Sequence, residues 1–537
     1  MTKGSFREST PMKRRSFLTS VLAATTIGAP SLAAPSTSRV LKFIPQADLA
    51  VLDPIWTTAY VTRNHAYLVF DTLYGWDARF EAKPQMVEGH TVENDGKEWR
   101  LTLRRGLRFH DGEPVLASDC VASILRWGKR DNYGRMLMAA TEDLSAPDDR
   151  TLIFRLREPF PQLPDALGKA TNNMAAIMPA RLAATDPFRQ VPELIGSGPF
   201  RFQADERVAG AQYVYERFAD YVPRPEGSPN WTAGPKIVNF DRVEWHVLPD
   251  AATAASALRL GEMDWWELPP PDLVTMLRAD RALKVEVQDP TGFVGIFRMN
   301  HLNPPFDNPA IRRALLGGID QSEFMEAAGG TDPSGWKDGV GFFCPGTPMA
   351  SDVGMEVLSA PRDLLKVKEA VKAAGYGGEK IVLLGATDVP ILKAIADVTA
   401  DFMQRAGFNI DYVATDWGTV VQRRTRKDPA DKGGWHLYSN FTGGMDQTTP
   451  TTHTNLWAGG NAAPGWPRSP RIEELSADWV RAPDQGAQTR IAQDIQRQAF
   501  IDVPYIPLGQ IAQPTAYRRD LAGVMPGFAV FWNVKRA

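Results

Sequence analysis

The residues best suited to chemistry lie together in one long loop between positions 442 and 470. This loop contains hydroxyl side chains, an amide, the carboxylate of Asp446, the imidazole of His453 and the indole of Trp457. Aromatic faces provide contact area in a binding cleft, and a few polar groups fix the orientation of a bound molecule. The composition of the loop therefore predicts a binding cleft, and a solvated surface loop is the alternative interpretation.

Motifs that would indicate an enzyme are absent from the sequence. It has no Gly-x-Ser-x-Gly, His-Glu-x-x-His or Cys-x-x-Cys pattern and no phosphate-binding loop. The seven histidines lack metal-ligand spacing, and His110, in a turn, is interpreted as a solvated or capping residue. We therefore expect no catalysis, no cofactor and no metal centre, although two facing carboxylates, as in a glycosidase, would leave no motif.

Length and composition limit the class of protein. A chain of 537 residues is too long for one ordinary core, so we expect two or three domains. With 60 basic against 63 acidic residues the chain has no basic footprint for nucleic acid. Cys120 and Cys344 are too few for a disulfide framework, and we expect two separate buried thiols, with a single bridge as the alternative.

The first 34 residues have the order of a signal peptide: a charged segment, a modest apolar run and a zone of small residues. The pair Arg14-Arg15 before Ser16-Phe17-Leu18 predicts the twin-arginine export route, and the general secretory route is the alternative. A disordered basic N-terminus is the other interpretation of residues 1–34. No later segment has 18 consecutive apolar residues, so we expect no transmembrane helix.

The elements that would position the loop follow from hydrophobic periodicity. A buried strand is predicted over Thr291–Asn300, and a helix begins at Pro309 behind the capping residue Asn308. From residue 301 to about 495 helices and strands alternate, which predicts an α/β domain with parallel strands. Residues 196–198, Gly-Ser-Gly, are predicted to adopt unusual backbone dihedrals before a strand.

Several segments together resemble the large solute-binding proteins of ABC importers, in the oligopeptide, dipeptide and nickel group. The resemblance covers essentially the whole chain after residue 34. It rests on these segments: Leu52-Asp53-Pro54, Phe109-His110-Asp111-Gly112, Gly196 to Phe200, Ala254 to Asp264, and Asn300 to Asp320.

The resemblance implies an α/β, two-lobed periplasmic binding-protein fold of type II, in the large cluster C form, with an extra inserted subdomain. Lobe I would comprise residues 35–78, 186–290 and 500–537, the inserted subdomain residues 79–185, and lobe II residues 291–499. The chain would cross between the lobes at Thr291–Asn300 and return at Val503–Leu508.

The resemblance also implies a monomeric periplasmic receptor that closes over a small-molecule solute and presents it to ABC transporter permease subunits in the inner membrane. Because no cysteine lies at the cleavage zone to carry a lipid, we expect a free protein. A solute sensor that drives no uptake would use the same closing motion.

The sequence constrains the identity of the ligand less than it constrains the role of the protein. Peptide-binding members carry an aspartate for the ammonium group of the peptide where this chain has Gly444, and the nearest carboxylate is Asp446. The solute is therefore a peptide or peptide-like compound, with Asp446 replacing that aspartate, or another solute such as an opine, a sugar or a metal chelate. Arg298 is expected to bind a ligand carboxylate or to form an internal salt bridge. The residues predicted to line the cleft are Trp56, Tyr60, Trp266, Arg298, Trp417, Phe441, Asp446, His453 and Trp457.

Overall fold

A computed structural model describes residues 39–460 and 462–537. The predicted signal peptide, residues 1–34, lies outside these residues. No helix within the described ranges is long and apolar enough to cross a membrane.

The strands and helices are numbered in chain order. The strands β1 to β19 are Val40–Ile44, Tyr74–Trp76, Ala82–Pro84, Val87–Glu93, Glu98–Leu103, Thr141–Ser145, Thr151–Leu156, Phe200–Phe202, Gln212–Arg217, Arg242–His246, Trp265–Trp266, Leu283–Met299, Trp336–Lys337, Lys380–Ala386, Asn409–Thr415, Leu437–Gly443, Ile506–Arg518, Leu521–Ala522 and Lys535–Arg536. The α-helices α1 to α15 are Tyr60–Val69, Ala117–Trp127, Asn132–Ala140, Leu163–Gly168, Ala180–Ala183, Ala251–Leu260, Pro271–Ala279, Pro309–Leu316, Gln321–Gly329, Glu356–Ser359, Leu364–Ala373, Pro390–Arg405, Trp417–Arg423, Pro470–Arg481 and Gln485–Asp502.

One sheet of eleven strands runs through the molecule in the order β15-β14-β16-β12-β17-β11-β1-β10-β9-β8, with β13 paired to β17. Strand β14 is parallel to both β15 and β16, as the alternation of helices and strands predicts. Strand β16 joins β12 in antiparallel pairing, so the sheet is mixed. The strands β11, β1, β10, β9 and β8 form its N-terminal half, and β16, β14 and β15 form its C-terminal half.

The two longest strands, β12 and β17, connect the halves of this sheet. Their pairing brings Phe297 beside Ile506, so the two predicted chain crossings are neighbours. The pairing register shifts between positions 287 and 296 of β12. At the centre of the shift Gly292 has φ +50°, and a Cβ there would lie 2.2 Å from the carbonyl oxygen of Ile511. Only glycine accommodates both conditions, which fixes the irregularity at this point.

Residues between the first strands and β8 form a separate antiparallel sheet in the order β4-β5-β7-β6. Helix α2 covers it, burying Cys120, Ile124 and Trp127. Asp119 is the third residue of this helix, and its Oδ2 accepts a hydrogen bond from the amide of Leu116 at 2.9 Å. The bounds of the lobes and of the inserted subdomain stay predictions.

Capping side chains mark the starts of several helices, among them the predicted cap Asn308. The side chains of Asp250, Asn308, Asp320 and Asp416 each accept a hydrogen bond from a backbone amide in the first turn of the following helix. Helix α6 ends at Gly261, whose φ is +78°. Local capping therefore determines these bounds.

Two local predictions are wrong. Gly196 and Gly198 do not have positive φ; they are required because a Cβ on either would lie within 2.7 Å of the Val69 backbone. His110 is not solvated, because it is only 6% exposed, and its Nε2 lies 3.0 Å from the Gly198 carbonyl oxygen.

Cys120 and Cys344 are both buried and unbridged.

Candidate functional site

A narrow cavity lies beside the register shift of β12, and its walls come from both halves of the large sheet. Tyr60 and Arg63 reach it from α1, Asp289 and Phe293 from β12, and Met445 from the segment after β16. The cavity has a volume of about 40 Å³. It is thus a small space next to the chain crossings, lined by both apolar and charged side chains.

Tyr60 and Asp446 connect the two sides of this space. The hydroxyl of Tyr60 accepts a hydrogen bond from the Gly443 amide at 2.8 Å and donates one to Asp446 Oδ2 at 2.5 Å. The Asn172 amide also donates to Asp446, at 3.3 Å. Burial raises the pKa of the Asp446 carboxyl, although the Tyr60 hydrogen bond and the charge of Arg63 oppose the shift. Asp446 is therefore a buried carboxyl that a nearby cation would favour in its charged form.

Two other carboxyls, those of Asp289 and Glu267, line the cavity itself. Asp289 Oδ1 accepts hydrogen bonds from the amide and the hydroxyl of Thr291 at 2.9 and 2.6 Å. Glu267 accepts from the Asn64 amide at 2.6 Å and from Gln46. Burial raises the pKa of both carboxyls, and the charge of Arg63 partly opposes it. With Asp446 they make the surroundings of the cavity rich in acidic groups.

Arg63 is the cation among these carboxyls, and it is only 6% exposed. Its guanidinium lies 4.0 Å from the ring centre of Phe528 and 5.0 Å from that of Tyr60. It donates to Asn64 Oδ1 at 3.1 and 3.2 Å and has a long contact with the Met445 sulfur. Within residues 39–460 and 462–537 it forms no ion pair. A guanidinium fixed by aromatic faces without a carboxylate partner is suited to bind an anionic group.

Position 444 cannot hold the aspartate expected of peptide-binding members. A Cβ on Gly444 would lie 2.1 Å from the carbonyl oxygen of Thr291 and 2.6 Å from Cys344 Sγ. The backbone after β16 therefore packs directly against β12. The carboxylates near the cavity come instead from Asp289, Glu267 and Asp446.

Of the nine residues predicted to line the cleft, the structure brings Tyr60 and Asp446 into direct contact. Trp56 is partly buried beside Arg130, whose guanidinium lies 5.2 Å from its ring. Trp266 is buried in a small core under α6. Phe441 packs beside Gly295, and Trp417 begins α13.

Arg298, His453 and Trp457 have structural partners. Arg298 is fully buried and donates to the backbone carbonyls of residues 455, 463, 464 and 504 at 2.8 to 3.1 Å. His453 Nε2 lies 2.8 Å from the Phe342 carbonyl oxygen, and the Trp457 indole donates to Pro450. Arg298 thus links the long loop to the return crossing through carbonyl groups, and the cavity wall described above does not include it.

Sequence reasoning missed Arg63, Glu267 and Asp289. A usable signal was present in α1, where Thr62, Arg63, Asn64 and His65 are consecutive polar residues in a helix that is buried on nearly all sides. A polar run of this kind in a buried helix requires partners, and a binding site is one source of them.

Solved structures of periplasmic binding proteins superpose on nearly the whole chain. AgaA from A. tumefaciens R10, in complex with agropinic acid, is 20% identical with a TM-score of 0.75, and the match covers 93% of this chain and 99% of that one. DppA from Helicobacter pylori, in complex with the peptide STSA, is 19% identical with a TM-score of 0.76, covering 93% and 98%. The fold is therefore the two-lobed α/β fold of periplasmic binding proteins, as predicted from the sequence.

Sequence comparison identifies the family. A model of bacterial extracellular solute-binding proteins, family 5 (middle), matches residues 81–464. A probable peptide ABC transporter periplasmic-binding protein of Sinorhizobium fredii is 37% identical over 494 residues, which cover 91% of this chain and 92% of that one. Glutathione-binding protein GsiB of Escherichia coli K12 is 23% identical over 499 residues, covering 89% and 91%.

The chain belongs to family 5 of the bacterial extracellular solute-binding proteins. This confirms the resemblance and the predicted role as the solute-binding receptor of an ABC importer. Such receptors are periplasmic, bind small solutes and work with a membrane permease.

Proposed function

We propose that this receptor binds a small zwitterionic solute, a peptide or peptide-like compound, whose charged groups lie at the cavity beside β12. The observation that carries the proposal is the position of Arg63, which is buried without an ion-pair partner among the described residues and lies near three carboxyls, the buried Glu267 and Asp446 and the half-buried Asp289. A solute carboxylate would bind Arg63, and a solute ammonium group would bind near Asp289 and Asp446. Each charge would then be paired inside the cleft, which a buried charge requires.

The names of related proteins support a peptide-like ligand. The relative from Sinorhizobium fredii is named for peptides and GsiB for glutathione. Gly444 favours a ligand other than an ordinary peptide, because the chain lacks a carboxylate at this position. An opine is therefore the second candidate, ahead of a sugar or a metal chelate.

We further propose that the protein is a monomer, binds no nucleic acid, returns its solute unaltered and is exported by the twin-arginine route. The pair Arg14-Arg15 supports the export route, and the acidic balance of the chain supports the absence of a nucleic-acid partner. Replacing Arg14-Arg15 by two lysines should then block export, and normal export of this variant would favour the general secretory route.

Titration with a solute library tests the ligand class. Tryptophan fluorescence would be followed while di- to tetrapeptides, opines and sugars are added, with N-acetylated and C-amidated peptides as matched controls. We expect binding of the free peptides and weak binding of both blocked forms, because each lacks one charge. Binding of sugars alone would contradict the proposal. Mass spectrometry of the recovered compound checks that it is unaltered.

A further inference from the structure

Residues 169–173 lie between α4 and α5, in the region predicted as the inserted subdomain, and one of their side chains reaches the long loop after β16. The Asn172 Nδ2 lies 3.3 Å from Oδ2 and 3.4 Å from Oδ1 of Asp446. The two residues are 274 positions apart in the chain. Their contact therefore depends on how the region of the separate antiparallel sheet docks against the long loop.

Lys169 fixes the backbone of this segment. Its Nζ lies 2.5 Å from Asp131 Oδ2, 2.8 Å from the Asn172 carbonyl oxygen and 3.3 Å from the Thr171 hydroxyl. Lys169 and Asp131 are 3% and 6% exposed. An ammonium group has three protons, and these three acceptors can take one each. Lys169 thus has its charge paired within its own region and holds Asn172 in place.

The segment is also held on both sides of Asn172 by hydrogen bonds from aromatic side chains. The Tyr67 hydroxyl, which comes from α1, donates to the Lys169 carbonyl oxygen at 3.1 Å. The Trp127 indole donates to the Asn173 carbonyl oxygen at 2.7 Å, and it does so while Asn173 has a left-handed φ of +50°. Because the segment is fixed in this way, the Asn172 amide loses little conformational freedom when it binds a carboxylate.

An uncharged donor beside Asp446 has a specific electrostatic consequence. The charged and titratable groups that act on Asp446 from the surrounding elements are Tyr60, Arg63, Lys169 and Asp289. An amide stabilises a carboxylate through a hydrogen bond without neutralising its charge, whereas a lysine or arginine at the same position would form an internal ion pair. The negative charge of Asp446 therefore stays available to a cationic group of a solute.

We propose that Asn172 is a positioning residue, which orients the Asp446 carboxylate and favours its charged form for the ammonium group of the solute. The region of the separate antiparallel sheet then takes part in solute binding through segment 169–173. This inference rests on the proposed function. Asn172 itself acts through Asp446 and needs no contact with the solute.

The test measures how the affinity for dialanine depends on pH. Calorimetry between about pH 4 and about pH 8 would compare the wild-type protein with Asn172→Ala and Asn172→Asp. We expect Asn172→Ala to weaken binding about three- to tenfold at neutral pH and to move the midpoint of the pH dependence upward by about half to one unit, because the carboxylate loses a hydrogen bond. Asn172→Asp should move the midpoint further upward, since two adjacent carboxyls share a proton.

Asn132→Ala is the matched control, because it makes the same substitution at another partly buried position of this region, where the side chain contacts Arg135. It should change neither the affinity nor the midpoint. A double-mutant cycle of Asn172→Ala and Asp446→Ala tests the contact without a solute, and we expect their effects on the melting temperature to be non-additive.

Three results would overturn the inference: unchanged affinity in Asn172→Ala, an equal loss at every pH with an unmoved midpoint, or additive changes in the melting temperature. The second of these would give Asn172 a merely structural role. Failure of the wild-type protein to bind dialanine or any other free peptide of the library would instead refute the proposed function on which the inference rests.

Discussion

At the scale of single residues, the most specific prediction concerns Arg63. Arg63→Met removes the cation but keeps much of the side-chain volume, so we expect affinity for a carboxylate-bearing solute to fall about 10- to 100-fold, the effect of losing charge-assisted hydrogen bonds. Arg63→Lys should recover part of this loss, because it keeps the charge without the planar fork. Calorimetry with the solute found by library titration provides the measurement. Unchanged affinity in Arg63→Met would contradict the assigned role.

Protonation of the carboxyls near the cavity provides a second prediction. Burial raises the pKa values of Asp289 and Asp446, and a bound ammonium group would lower them again. Binding should therefore release protons, and affinity should fall as the pH decreases toward the ordinary Asp pKa of about 3.9. Calorimetry in two buffers with different ionisation enthalpies measures the released protons. Asp289→Asn should reduce the release, and affinity that rises at lower pH would refute this assignment.

The sequence predicts some residues of the candidate site and not others for a physical reason. Asp446 lies in the long loop and Tyr60 is the first residue of α1, directly after a loop, where polar and aromatic residues attract attention. Arg63 lies inside a helix, and Asp289 precedes a proline in the middle of a long strand. Their importance arises only from distant contacts, such as that between Arg63 and Phe528. Such contacts depend on how the elements assemble.

At the scale of elements, the close approach of β12 to the segment after β16 determines which side chains fit there. Gly444→Ala would bring a Cβ to 2.1 Å from the Thr291 carbonyl oxygen, so we expect a loss of about 1–3 kcal/mol in the free energy of unfolding. Gly460→Ala is the control in the same long loop, since a Cβ there meets nothing within 4 Å. Thermal or urea unfolding measures both variants. Equal stability of the two would show that this contact does not constrain the backbone.

The sequence predicts the bounds of elements that have strong local signals, but not the bounds of strands that are defined by their pairing with other strands. Helix α8 begins at Pro309, as predicted, because the capping side chain of Asn308 fixes that end. Strand β12 begins at Leu283, eight residues before the predicted start, because residues 283–287 pair with the far end of β17. The sequence contains no local sign of this pairing. The antiparallel joining of β16 to β12 is equally nonlocal.

At the scale of the whole molecule, the continuous sheet and its single region of shifted register suggest where motion occurs. Strands β12 and β17 pass from one half of the sheet to the other, and Gly292 lies at the shift. Tyr60 and Asp446 contact each other across the cavity beside this region. Rotation about residues 289–293 would thus separate or join the groups that hold the solute. A solute that touches both sides stabilises the closed form by its differential affinity for that form.

An exposed ion pair between Glu158 and Arg481, 3.0 Å apart, also links the segment after β7 to α14, and it allows the contributions to closure to be separated. Both side chains are 48% exposed, so the pair contributes at most about 1 kcal/mol, and Glu158→Gln should change the closed population no more than about fivefold. Moving the equilibrium from mostly open to mostly closed requires about 10⁴-fold differential affinity, which only contacts with the solute can supply. Small-angle scattering of the wild type and Glu158→Gln should therefore show the same decrease in radius of gyration at saturating solute. A particle whose dimensions do not respond to any bound solute would contradict closure about β12 and β17.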